Sequence, residues 1–351
     1  MVVGAGIAGL ATATSLARLG WDVRVLEREA TLPREGAGLS LWPNAMRAVE
    51  ALGLSQDIAG CTQEIERGLT LRPDGRVIAR APIADLTARF GPLLSIHRAE
   101  LIEALHDACP VAVEFGVDVR CEDGALRVGS EPLEADLVLG ADGIGSVVRE
   151  LVAPGTPPRS VGCAAWRGVA DGDLTPARAS ETLGRGQLFG LVSLPLSRTY
   201  WFAVVGTEGN LEAKFADWHD PIPMALERTP PERRIRSELR YLPPLPRWHR
   251  GSAVLVGDAA HAMTPNLGQG AAQALLDVAA LLGRLREMPL AEALAAYERA
   301  RKRPAERIAR QSRTAGRVAQ ASNPLATVLR DNLSGAIPSA VMSRATGSVL
   351  R

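Results

Sequence analysis

Three glycines near the start of the chain stand in the order Gly4-Ala5-Gly6-Ile7-Ala8-Gly9, and an acid, Glu27, follows after a helix and a strand's worth of residues. Residues of these types at this spacing can hold a pyrophosphate and a ribose. Gly4 allows a tight turn, Gly6 lets bare backbone approach the phosphates, and Gly9 lets a helix pack closely on a strand. The free amides and the positive dipole end of that helix face the anion. Glu27 would accept hydrogen bonds from a ribose 2′-hydroxyl, with Ala8 and Arg28 beside the same ligand. This pattern indicates dinucleotide binding and does not separate NAD from FAD.

Two more carboxylates sit beside glycine turns far downstream. Asp142 lies in Ala141-Asp142-Gly143-Ile144-Gly145-Ser146, with Arg149 just beyond. On its own, Asp-Gly after a strand is usually only a turn. Asp258 follows Gly257, and Pro265-Asn266-Leu267-Gly268-Gln269-Gly270 then opens an apolar helix from about Ala271 to Leu285. A carboxylate at the C-terminal end of a strand is placed where open α/β sheets bind ligands. The Gly268-Gln269-Gly270 turn aims amides and a helix dipole at an anionic oxygen, such as the charge that a reduced flavin carries around N1 and its C2 carbonyl.

The elements that must position these groups are legible in outline. Met1 to Val3 reads as a stub of buried strand, Ile7 to Leu19 as a helix closed by Gly20, and Trp21 to Leu26 as the next strand. Strands commonly run about 5–6 residues, so so short a first strand is expected to weaken the turn and the retention of its ligand. Ala135 to Gly140 and Ala253 to Val256 are short buried strands leading into the two acidic turns. From Val161 to Val205 the pattern becomes strand after strand (Ala164 to Val169, Gln187 to Leu194, Thr199 to Val205), and residues 66 to 81 read as a hairpin around Pro73-Asp74-Gly75. Pro-rich stretches from Pro221 to Pro231 and from Leu242 to Pro246 bring the chain back to the third motif. Beyond Arg310 it is helical and polar, broken at Pro324 and Pro338 and expected to pack across the outside.

The bulk numbers narrow the function. The 351 residues are 46% hydrophobic and 23% charged with a net charge of +1, ordinary for a globular protein with nothing to attract nucleic acid or an acidic membrane surface. The cation is almost always arginine; Lys214 and Lys302 are the two lysines. The cysteines Cys61, Cys109, Cys121 and Cys163 form no CxxC pair, and the histidines form no HExxH, so reduced thiols and no metal site are expected. Without a signal peptide or a long apolar run, the protein is expected in the cytoplasm, acting on a small molecule as monomer or homodimer.

Taken in order, GxGxxG with Glu27, Asp142-Gly143 and Gly257-Asp258 resemble the class A flavin-dependent monooxygenases, the para-hydroxybenzoate hydroxylase group. Gly36-Ala37-Gly38-Leu39-Ser40-Leu41-Trp42-Pro43-Asn44-Ala45, Ile96-His97-Arg98-Ala99-Glu100-Leu101 and Tyr297-Glu298-Arg299-Ala300-Arg301 agree, and the likeness spans roughly residues 1 to 310. The resemblance implies an α/β fold of the glutathione reductase type: a Rossmann-like FAD-binding domain (1–65, 95–160 and 246–310) intertwined with a mixed-sheet substrate domain (66–94 and 161–245), followed by a helical segment at 311–351. It implies that Glu27 holds the adenosine ribose, Arg98 lies by the pyrophosphate, and Asp142 sits near FAD and the route of the nicotinamide donor. Asp258 would bind the ribityl or pyrophosphate part, while Ser40, Gly268, Gln269, Gly270, Ala271 and Ala272 would lie against the flavin. Ala272-Gln273 and Leu276-Asp277-Val278 depart from the commoner pattern. The reaction implied consumes NADPH or NADH and O₂ and inserts one oxygen atom into a small, aromatic substrate through a flavin C4a-hydroperoxide.

Arg167, Phe189, Tyr200 and Pro265 are candidates for the substrate pocket, with Trp166, Leu191 and Phe202 as further wall residues. Strand alternation puts Tyr200 and Phe202 on one face and Trp201 on the other. Arg167 either steadies an anionic substrate or lies in solvent, and His261 reads as a structural member of its turn. Related FAD enzymes (an epoxidase, a halogenase or a reductase), a non-catalytic FAD-binding homologue and an NAD-only dehydrogenase are the competing readings; no Trp-x-Trp-x-Ile stretch supports the halogenase.

Overall fold

A computed structural model describes residues 1–33, 36–206 and 210–350; position 351 of the expected C-terminal segment lies outside them. Val2–Val3 lies inside a six-stranded sheet, flanked by Val25–Glu27 and Val113–Phe115 on one side and by Val138–Gly140, Ala253–Leu255 and His249–Arg250 on the other. All pairings are parallel except that of His249–Arg250. Strands buried on both faces need no alternation, which is why Val2, Val3, Leu139 and Val254 are all core residues. The strands at Trp21–Leu26, Ala135–Gly140 and Ala253–Val256 are shorter than their apolar runs suggested.

The helix Ile7–Arg18 packs on this sheet and against the long helix Gly270–Glu287. Its Ala, Gly and Thr side chains allow close approach on both sides. The hydroxyls of Thr12 and Thr14 donate to the Ala8 and Leu10 carbonyls at 2.7 and 2.8 Å, so the buried helix leaves neither hydroxyl unpaired. Gly9 faces the Gly4 carbonyl so closely that a Cβ would stand 1.9 Å from the oxygen.

A second, seven-stranded mixed sheet takes the spatial order Ile235–Tyr241, Arg159–Asp171, Arg198–Val205, Leu188–Leu194, Arg178–Leu183, Arg67–Leu71, Val77–Ala81. The hairpin expected around Pro73-Asp74-Gly75 forms the far edge and joins through a parallel pairing of Arg67–Leu71 with Arg178–Leu183. Two strands were not anticipated. Arg178–Leu183 and Ile235–Tyr241 are largely polar, and their signal was hidden by flanking prolines and charges. One face of this sheet is covered by Leu211–Phe215 and Ile222–Glu227; the other looks towards a three-stranded ribbon of Gly38–Leu41, Leu94–His97 and Thr62–Glu64.

The C-terminal part is helical as expected, and its breaks fall at 320–323, just before Pro324, and at 337–338. Leu290–Ala319 continues through Pro304 and past Arg310, and Pro324–Ala336 and Ser339–Leu350 follow. The last helix returns to the helix Pro43–Ala51, where Asn44 Nδ2 donates to the Val349 carbonyl at 3.4 Å. Among the described residues, no helix is long and apolar enough to cross a membrane.

Replacing Gly9 by alanine tests the closest packing in the first motif. The new methyl group meets backbone, which cannot swing away, so Gly9→Ala is expected to cost about 1–3 kcal/mol. A thermal melt of the variant that coincides with the parent's would refute this packing argument.

Candidate functional site

The first two motifs are packed backbone against backbone. Gly4 has φ +100°, and a Cβ on it would stand 2.6 Å from the Ala141 carbonyl oxygen and 2.9 Å from the Asp142 Cα. Asp142 Oδ2 accepts hydrogen bonds from the amides of Val147 and Val148 at 2.7 and 3.2 Å, while Oδ1 is buried without a partner. Burial raises this carboxyl above the usual range, opposed by Ser146 and the amide hydrogen bonds. Glu27 folds back onto the glycine turn, its Oε2 accepting from the Ala5 amide at 2.7 Å and its Oε1 from the Glu29 amide at 3.0 Å. Each oxygen keeps further lone-pair capacity for a ribose. Arg28 is exposed and reaches Glu29 Oε1 at 3.3 Å.

The third motif closes on the first. Gly257 has φ +60°, and a Cβ there would meet Ala274 Cβ at 3.1 Å and Ala8 Cβ at 3.5 Å. Asp258 begins the turn Asp258–His261. It is open to solvent yet walled closely enough that desolvation raises its carboxyl, with His261 and Arg98 opposing. Arg98 opens the helix Arg98–Asp107. Desolvation lowers its pKa, Asp258 opposes that shift, and Arg167 adds to it. Arg98, Asp258 and Arg167 therefore share one cleft. Gly268 is left-handed at φ +61°, against Trp42 Nε1 and Ser40 Cβ, where a Cβ would lie 3.1 and 3.8 Å away. Gly270 has open space around it and Ala271 is half-buried. Gln269 and Ala272 are buried.

This trough has the chemistry to take an extended phosphate-bearing cofactor. The N-termini of Ile7–Arg18 and Gly270–Glu287 carry no side-chain cap, which leaves amide donors free. Asp142 Oδ1, Trp42 Nε1 and Gln269 Nε2 are buried without partners around it. Arg98 is a desolvated cation whose guanidinium has no hydrogen bond among the described residues, and an anion would relieve it.

The residue at the centre of the framework, Asp277, was not assigned a role from the sequence. Its Oδ2 accepts from the Gly257 amide at 3.0 Å and is 2.5 Å from His261 Nε2; its Oδ1 accepts from Arg301 Nε at 2.8 Å. Arg301 also donates to Gln273 Oε1 at 2.7 Å, Gln273 Nε2 to Gln269 Oε1 at 3.1 Å, and Asn44 Nδ2 to the same oxygen at 2.9 Å. The departures from the commoner pattern at Gln273 and Leu276-Asp277-Val278 thus belong to one buried chain of hydrogen bonds. Burial would raise the Asp277 carboxyl, but His261 and Arg301 outweigh it and hold it below the ordinary range. His261, tilted against Trp248 with ring centroids 5.1 Å apart, is a member of this framework.

On the seven-stranded sheet, the proposed wall divides between two faces. Tyr200 and Phe202 lie together, ring centroids 5.7 Å apart, on the face towards Gly38 and Trp42. Arg167 pairs with Phe202 in register and shares that face, its Nη1 donating to Ser237 Oγ at 2.7 Å. Phe189 does not belong there. It pairs with Ala203 and stacks on Trp201 at 5.5 Å and edge-on to Phe215 at 5.0 Å, in the core under the covering helices. Leu191 and Trp166 point the same way. Strand parity, counted between neighbours whose register was unknown, could not reveal this. Pro265 is exposed at the start of the turn leading to Gly268.

Comparison with known proteins agrees with this fold. The family model described as FAD binding domain matches residues 1–169 and 244–312. Aurachin C monooxygenase/isomerase of Stigmatella aurantiaca is 36% identical over 360 residues, 95% of this chain and 92% of that protein. The 3-amino-4-hydroxybenzoate 2-monooxygenase of Streptomyces cremeus is 36% identical over 85% of this chain and 81% of its own length. In fold, Klebsiella pneumoniae HpxO, solved with FAD and uric acid, superposes with a TM-score of 0.90 over 99% of this chain and 96% of that one, at 24% identity.

Asp277 supplies a test of the framework. Asp277→Asn keeps the shape but leaves Arg301 facing a neutral amide, and losing one partner of a buried pair typically costs about 3–5 kcal/mol. Because the folded pKa is depressed, the stabilisation is present above the unfolded carboxylate value of about 3.9 and is lost as pH falls through the lower folded value. Melts of parent and variant should differ most at neutral pH and converge in acid; a gap that does not depend on pH would contradict the assignment.

Proposed function

This chain belongs to the class A FAD-dependent aromatic monooxygenases, and on that premise we propose how its own residues divide the work. The protein is an FAD-dependent monooxygenase that acts on a small aromatic substrate. The observation that carries the residue assignment is the convergence of the three motifs, with Gly4 against Asp142 and Gly257 against Ala8. Glu27 takes the adenosine ribose, beside Arg28. The turn through Gly4, Gly6, Ala8 and Gly9 and the Arg98 guanidinium take the pyrophosphate, and Asp258 takes the neighbouring ribityl or phosphate part. Ser40 and the backbone of Gly268, Gln269, Gly270, Ala271 and Ala272 lie against the isoalloxazine, and Asp142 lies on the side open to a nicotinamide donor.

Bound FAD supplies the redox chemistry, accepting electrons from NADPH or NADH and delivering one oxygen atom of O₂ to the ring of the substrate. The chain's part is electrostatic and steric. The uncapped N-terminus of Gly270–Glu287 favours negative charge on the flavin edge. Tyr200 and Phe202 give the cleft an apolar wall against which a bound ring displaces water. The division into an FAD-binding part (1–65, 95–160, 246–310), a substrate sheet (66–94, 161–245) and a C-terminal segment (311–351) is proposed on the same grounds, with the active unit a monomer or homodimer.

The purified protein should be yellow, and NADPH or NADH added without oxygen should bleach the flavin, faster with a bound aromatic substrate. Arg98→Ala removes a charge-assisted contact to phosphate and should weaken FAD binding by roughly tenfold or more. A colourless protein stabilised by NAD alone would overturn the reading.

A further inference from the structure

The face of the seven-stranded sheet that looks towards Trp42 is made of side-chain rows running across the strands, and the register identifies each row. One contains Val169, Tyr200, Val192, Ala179 and Gly68; it is covered by Ile65, Ile83, Leu93 and Trp42. Another contains Ala165, Val204, Leu188 and Leu183; it is packed against Ala319, near the end of the long helix. Between them runs Arg167, Phe202, Gly190, Glu181 and Thr70. In this middle row every residue that has a side chain is partly open to solvent, although the rows on either side are largely buried. It is a lane between two covers.

Phe202 forms the floor of the lane. Its ring lies over Gly190, where a Cβ would come within 2.1 Å of the ring, so the glycine is what lets the aromatic lie flat across the strands. Arg167 stands on one side of this ring and Glu181 on the other. Three inter-strand steps of about 4.8 Å separate their strands, roughly 14 Å in all, room for an aromatic ring system between their side chains. Arg167 is already engaged with Ser237 and lies against the Tyr200 hydroxyl. Glu181 is not engaged: no hydrogen bond or ion pair reaches its carboxyl among the described residues. The groups around it are Thr70, Gly190, Ala179, Leu183, Val192 and Leu188, and Arg167 is the one other charged side chain in these three rows. Desolvation alone pushes its pKa up to about 7.

We propose that Glu181 is a specificity residue of the oxygenation site, accepting a hydrogen bond from an N–H or O–H on an aromatic substrate stacked upon Phe202. The inference rests on the monooxygenase reading above and narrows it. The substrate carries a hydrogen-bond donor at the end of the ring system that reaches Glu181, and a ring presenting a carboxylate at that end is excluded by like charge. A carboxyl left without a partner in a partly desolvated lane is costly unless the ligand completes it. That cost makes the site discriminate against analogues whose donor is absent.

The test uses the full-length FAD-loaded protein and pairs of probes that differ in the donor alone: 4(1H)-quinolone with 1-methyl-4-quinolone, and 4-hydroxybenzoate with 4-methoxybenzoate. Dissociation constants come from calorimetry and from the perturbed absorbance of bound flavin. The parent should prefer the donor-bearing member of at least one pair by about tenfold or more. Its affinity for that member should rise as pH rises through about 7, where Glu181 ionises. Glu181→Gln should lose both the preference and the pH dependence, and Glu181→Asp should restore the pH dependence in part. A Glu181→Gln protein that keeps the parent's preference and pH slope would sink the proposal, as would a parent that binds no member of either pair. Flavin content and anaerobic bleaching by NADPH are followed in the same samples. Their failure in the parent removes the monooxygenase reading itself, whereas their survival beside an indifferent Glu181→Gln removes only the role given to Glu181.

Discussion

A single buried carboxylate, Asp277, ties the cofactor trough together. It is wholly inaccessible, yet it sits among a backbone amide and an imidazole from the turn at Gly257 to His261 and a guanidinium from the long helix that carries Arg301. A buried charge is tolerated only when it is matched in this way. The match has a geometric consequence. Gly257 cannot shift without breaking its amide bond to Asp277, and Gly257 is the residue wedged against Ala8 and Ala274. The Asp258 turn, the first helix and the Gly270–Glu287 helix are therefore held in one relation by the same carboxylate. Through Arg301, Gln273 and Gln269 the constraint continues to Asn44, at the start of the helix that follows Trp42. Trp42 in turn packs with Tyr200 and Phe202. A continuous path of hydrogen bonds and packing thus runs from the trough to the seven-stranded sheet, where we propose the substrate binds.

The two faces of that sheet differ in what covers them. The face with Phe189, Trp201, Phe215 and Trp218 is filled by aromatic packing and closed by short helices, so it contributes stability. The opposite face is only partly covered, since the three-stranded ribbon and the long helix each reach one row and stop. A ligand site on the second face costs little stability, because the core on the first face does not depend on it. Gly190 on this face makes room for the ring of Phe202, and Gly38 on the facing ribbon makes room for the ring of Tyr200.

The sequence made the cofactor half far more legible than the substrate half. Gly4, Gly9 and Gly257 are required by close backbone approach, and such requirements leave glycine at fixed spacing for any reader. The order of the three motifs did the rest. Asp277 was hidden because an aspartate inside an apolar helix has no local signature, and its partners lie outside its own helix. Phe189 was misplaced for a related reason: alternation tells which residues of one strand share a face, whereas the relation between strands depends on register, which no local pattern encodes. Glu181 lies on a strand too polar to be noticed, and its meaning appears only once Phe202, Gly190 and Thr70 are found beside it.

The charges at the cleft also settle how Arg167 stands relative to its two earlier readings. It does not lie free in solvent, since its guanidinium is fixed by Ser237 and lies against the Tyr200 hydroxyl, whose own pKa is pushed up to about 12 by burial. It is near enough to Arg98 to disfavour that cation, an effect that Asp258 opposes. Next to Arg98 two arginines face one aspartate, and the electrostatically natural occupant of that spot is an anion. A pyrophosphate beside Arg98 meets that demand. Once it is met, Arg167 is released from repulsion without any substrate carboxylate, so nothing in the charge balance obliges the substrate to be anionic. The recognition of the substrate then falls to the uncharged floor at Phe202 and to the carboxylate on its far side.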